Sequence, residues 1–169
     1  MLEDRLSREP RFDTVHAESQ GRSLMNMDYL FFAGCFSFLA AALHIGVIIG
    51  GPRWYRLFGA GETMAQMAER GSPKPAIITF CIAVVLVVWG VYAWSGAGIL
   101  PGMPLLKLAL VGITTVYLAR GLGGLIAPFI SDHPHILQNS TGFWLWSSAV
   151  CLVIGVCHLI GTVNAWPVL

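Results

Sequence analysis

Apolar positions in this chain fall into four long runs, over residues 29–50, 76–95, 104–126 and 141–163, with short polar stretches between them. At 1.5 Å per residue each run reaches roughly 30 Å, the thickness of a hydrocarbon core. Runs of this length with so few charges predict membrane-spanning helices. The predicted fold is an all-α integral membrane protein: four transmembrane helices in a bundle, plus a short interfacial helix in the first inter-span loop. The chain divides into a polar N-terminal tail over 1–27 and a four-helix membrane domain over 28–169.

The breaks between runs have local causes. Gly50-Gly51-Pro52 ends the first, because Gly permits a sharp turn and Pro removes a backbone donor. The stretch ETMAQMAER over 62–70 predicts a short helix with Met64, Met67 and Ala68 on its apolar side, lying on the membrane surface. Ser72-Pro73 and Pro75 mark the turn into the second span, and Pro104 opens the third at its first turn. The connection over 96–103 is short, which predicts that spans two and three are antiparallel neighbours. Ser37 and Ala41, then Ala42, Gly46 and Gly50, have the small-xxx-small spacing that lets helices approach closely. Trp54, Tyr55, Trp94, Trp144 and Trp166 stand near span ends, where amphipathic rings settle.

Composition strengthens the membrane reading. Hydrophobic residues make up 56% and charged residues 11%, against roughly 25% charged in an ordinary soluble domain. Mean hydropathy is +0.69. After Ala76 the charges are Lys107, Arg120 and Asp132, too few to cover a water-facing surface. The net charge of +1 gives no basic field for nucleic acid. Cys35, Cys81, Cys151 and Cys157 sit in apolar runs without a CxxC pair, which predicts small buried side chains. The tail mixes Arg with Asp and Glu, so it predicts a solvated segment and no cleavable signal. MNMDYLFF from Met25 reads like a natural start, which makes the tail an extension or a partner-binding arm.

Four spans alternate sides. The 51–75 loop and the 127–140 loop must share one side, here side B. His44 and Arg120 each lie six residues before a side B span end, about 9 Å deep by helix rise. Glu62, Asp132, His133 and His135 lie in the loops above them. An ionised Arg facing lipid is costly, so Arg120 either snorkels, pins a loop through an ion pair, or lines a polar pocket. The predicted pair is Glu62 with Arg120, Asp132 being the second choice. The predicted pocket comprises His44, Glu62, Tyr117, Arg120 and Asp132. His133 and His135 are weak metal candidates, because a solvated loop accounts for them and no established ligand spacing is present. His44 and His158 lie at different depths, roughly 15 Å apart by helix rise, which argues against one haem iron between them. No cofactor and no catalytic residue is predicted.

These features predict a small multi-pass membrane protein of binding or accessory type, a homo-oligomer or a subunit of a larger membrane complex. Its partners are the lipid bilayer and other membrane proteins, with no nucleic acid. Rival classes are a transporter or channel for a small anion or proton, and a membrane enzyme acting on a lipid-soluble substrate. Arg53, Arg56, Arg70, Lys74 and Arg120 lie near side B ends, and Arg11, Arg22 and Lys107 near side A ends. That imbalance predicts side B in the cytoplasm of a bacterial inner membrane, with both termini outside.

Overall fold

A computed structural model describes the backbone of residues 9–131 and 133–169, and side chains from Tyr29 onward except that of His135. The helices are α1 (Glu9–Leu57), α2 (Glu62–Glu69), α3 (Lys74–Gly96), α4 (Leu106–Ile130), α5 (Pro134–Leu137) and α6 (Thr141–Ala165). Tyr29–Leu57 of α1, together with α3, α4 and α6, are long and apolar enough to cross a membrane. Among the described residues the fold is therefore all-helical, with four helices suited to crossing a membrane.

Helix boundaries follow the local chemistry, with shifts at both ends of α1 and of α4. The α1 helix begins at Glu9, within the stretch assigned to the tail, while residues 1–8 lie outside the described residues. It breaks at Gly51 (φ 64°, ψ −150°), and a second short helical segment runs from Pro52 to Leu57. A Cβ on Gly51 would meet nothing within 4 Å, so backbone conformation and not space requires glycine there. Pro52 suits the restart, because a first-turn residue has no intrahelical use for its missing N–H. The α4 helix starts at Leu106, two residues later than Pro104, after Leu105 in a left-handed conformation (φ 55°). At its other end α4 passes through Pro128 to Ile130. Pro128 removes one donor and crowds the Gly124 carbonyl, and only the last turn of α4 has to adjust to it. Ser140 caps α6 by accepting the Phe143 N–H at 3.2 Å.

The bundle is built from two close pairs, α1 with α3 and α4 with α6, and α1 also packs on α6. The α3 and α4 helices do touch, as the short connection predicts, but neither is the other's main partner. Ser95 shapes that connection, donating to the Pro101 carbonyl at 2.9 Å and accepting the Met103 N–H at 3.2 Å. The α4/α6 contact is reciprocal. Leu152 of α6 seats on Gly121 of α4, and Leu118 of α4 seats on Gly155 of α6. An added Cβ would lie 3.1 Å and 3.2 Å from the facing backbone nitrogens, so glycine sets the approach.

Ala41, Leu86, Ile113, Tyr117 and Ile154 form the central core. A second cluster, Leu30, Ala97, Leu110 and Ala165, closes the side A end. At side B, Ala65 of α2 is fully buried against Val47 and Tyr55, with Met64 and Ala68 around it. The apolar side of α2 is thus turned onto the end of α1. The two side B loops meet as the four-span topology requires, because Asn139 donates to the Gly59 carbonyl at 3.1 Å.

Candidate functional site

The predicted side B pair gives way to a more local one. Glu62 accepts from Arg56 through both carboxylate oxygens, Nε to Oε2 at 2.8 Å and Nη2 to Oε1 at 2.9 Å, and Arg56 Nη1 also reaches Glu69 at 2.8 Å. The break at Gly51 explains this outcome. It carries Arg56 on a new helical segment beneath both carboxylates of α2, and a short loop closes at lower entropy cost than a link across the bundle. Hydrogen bonding by Arg56, then by Gln66, holds the Glu62 carboxyl down to about 2.

Arg120 turns instead to α6. Its guanidinium lies over the Trp144 ring at 5.0 Å, and Nη2 donates to Ser147 Oγ at 3.4 Å. The residue is exposed, and the ion pairs among the described residues do not include it. His44 bonds to its own helix, with Nδ1 at 2.7 Å from the Ala40 carbonyl oxygen. Tyr117 is drawn into the core. The predicted set of His44, Glu62, Tyr117 and Arg120 is therefore not gathered into one pocket. Asp132 and the His135 side chain lie outside the described residues, and the His133 N–H donates to Ser131 Oγ at 3.3 Å. Among the described residues no cluster of three His, Cys, Asp or Glu side chains could hold a metal.

What the bundle does gather is a buried polar node from α1, α4 and α6. Ser37 Oγ and Tyr117 OH share a hydrogen bond of 3.0 Å, and His158 Nε2 stands 3.5 Å from the same Ser37 Oγ. The His158 and Tyr117 rings are stacked at 5.4 Å, and Trp89 of α3 meets Tyr117 edge-on at 5.0 Å. Ser37 and His158 are fully buried. His158 Nδ1 has no hydrogen-bond partner, and neither does the buried Thr162 Oγ1 one turn further along α6. Contact with Ser37 sets His158 about 10 Å along the bundle axis from His44. The two histidines are at different depths, in keeping with the sequence reading.

Beside this node runs a groove of about 380 Å³ between α4 and α6. Val111, Leu118, Leu159 and Val163 make its walls mostly apolar, and Thr114, Thr115, Thr162 and Trp166 complete them. Lys107 stands over the Trp166 ring at 5.1 Å, next to the side A end. Thr114 Oγ1 and Thr115 Oγ1 donate to carbonyls of their own helix, at Leu110 and Val111. That leaves Thr162 as the wall residue with an uncommitted hydroxyl. Sequence reasoning considered His158 only as an iron ligand and Ser37 only as a small packing residue, and it passed over Thr162. The available signal was one His deep in an otherwise uncharged span. Comparison with protein-family models, with curated proteins and with solved structures finds no match to this chain.

Proposed function

We propose that this is a membrane-embedded binding protein for a small lipid-soluble molecule with an apolar body and one hydrogen-bonding end. The molecule enters the α4/α6 groove sideways from the bilayer, and its polar end reaches Thr162 beside His158. One observation carries the reading: Thr162, on the wall of a mostly apolar groove, has a buried hydroxyl without a partner, one helical turn from His158, whose Nδ1 also lacks one. An unmade hydrogen bond of a buried group costs about 1–3 kcal/mol, so a ligand whose polar end satisfies the Thr162 hydroxyl recovers part of that cost. The volume suits one small molecule, at the low end of the roughly 300–1,000 Å³ of ligand pockets. The binding class, the bacterial inner membrane and the cytoplasmic placement of the 51–75 loop are parts of the same proposal.

The test uses detergent-purified protein and mass spectrometry of whatever small molecules it retains. Leu159 is an exposed groove residue, so Leu159→Trp fills the groove without touching the core. The wild type should retain one amphipathic species near equal stoichiometry, and Leu159→Trp should lose it while keeping its helical content. Equal retention in both proteins, or none in the wild type, would contradict the proposal.

A further inference from the structure

Arg120, a side B cation that the binding reading does not use, has its own built surroundings. Arg120 lies ten residues before the end of α4, about 15 Å by helix rise, within the length needed to cross a membrane. An arginine at that depth is tolerated when its stem runs along the helix and its head reaches the interface. The side chain takes that direction. The guanidinium reaches forward along α4 to Gly124, where an added Cβ would collide with Arg120 Nη1 and with Ser148 Oγ. It rests on Trp144, whose indole N–H is itself fixed by the Ile136 carbonyl at 3.1 Å. Ser147 accepts from Nη2, and the fully buried Ser148 hydroxyl has no partner.

The result is a positioned guanidinium, exposed on one side and not joined to a carboxylate among the described residues. Its planar fork of donors fits two oxygens of a phosphate at once, a match that a lysine ammonium lacks. We propose that Arg120, braced by Trp144, Ser147 and Gly124, binds the phosphate of an anionic lipid headgroup on side B. A lipid is favoured over a free anion because the guanidinium rests on Trp144, three residues from the side B start of the membrane-crossing α6, about 5 Å by helix rise from the level where lipid phosphate is concentrated. Binding to the folded state alone raises stability with ligand concentration.

The experiment measures melting temperature in neutral detergent for the wild type, Arg120→Gln, Arg120→Lys and Lys107→Gln. Each is titrated with phosphatidylglycerol, phosphatidylcholine or sodium phosphate. Phosphatidylglycerol should raise the wild-type Tm by about 3 °C, a shift appropriate to roughly 1 kcal/mol in a chain of this size. Phosphatidylcholine should raise it less. The shift should vanish in Arg120→Gln, fall by half or more in Arg120→Lys, and persist in Lys107→Gln. Arg120→Lys keeps the test decisive if Arg120→Gln does not fold. An unchanged shift in either Arg120 variant, or its loss in Lys107→Gln, would overturn the assignment. An equal shift with sodium phosphate would replace the headgroup by a free anion and overturn it as well.

Discussion

Ser37, Tyr117 and His158 show how a polar contact is made inside an apolar bundle. Their hydroxyls and imidazole face one another because water cannot reach them and a lone buried polar group is costly. Ser37→Ala leaves the Tyr117 hydroxyl unpartnered and should destabilise by about 1–3 kcal/mol. Tyr117→Phe should cost a similar amount, and the double variant should lose clearly less than both together. Thermal or denaturant unfolding in detergent checks this, and strictly additive losses would mean that the two hydroxyls do not interact. Glu62 offers a pH-dependent counterpart at the exposed end. Its carboxyl is held at about 2 in the folded protein, below an ordinary value of 4.5. The stabilisation by Arg56 is then complete above about pH 4.5 and disappears as pH falls towards 2. The pair is solvent-screened, so the effect is small. The stability difference between wild type and Glu62→Gln should be constant from pH 5 to 8 and shrink to nothing across that acidic window.

Among the elements, the α1 break and the α4/α6 contact rest on glycines for different reasons. Gly51→Ala meets open space but a positive-φ backbone (φ 64°, ψ −150°) that essentially only glycine adopts, so its cost is strain of about 1–3 kcal/mol. Gly121→Ala keeps an easy helical backbone but drives a methyl group into Leu152, with overpacking of roughly 1–3 kcal/mol. Gly121→Ala should also widen the α4/α6 spacing, which paired spin labels on the two helices would report, whereas Gly51→Ala should leave that spacing unchanged. The break itself was legible in Gly50-Gly51-Pro52, as was the helix near 62–70. Which arginine meets Glu62 was not legible, because the answer depends on the direction in which the chain leaves Gly51. The rotation of each span about its own axis was hidden too. Helices that are apolar on every side carry no stripe to mark the inward face, so nothing in the sequence brought Ser37, Tyr117 and His158 together.

At the scale of the whole molecule, four crossings put the 51–75 and 127–140 loops on one side, and the Asn139–Gly59 contact agrees with that topology. The distribution of Lys and Arg then predicts that a reporter fused after Leu169 is active outside the cytoplasm, and cytoplasmic activity would reverse the orientation. The central claim is that a lipid-soluble molecule lies between α4 and α6 with its polar end at Thr162, one helical turn from His158. Nitrogen-15 NMR of histidine-labelled protein tests it most directly, comparing the protein as purified with the same protein after exhaustive delipidation. The account predicts that the His158 ring resonances move on delipidation while those of His44, about 10 Å away along the axis, stay in place. Unchanged His158 resonances, in protein shown to have lost its bound molecule, would contradict it.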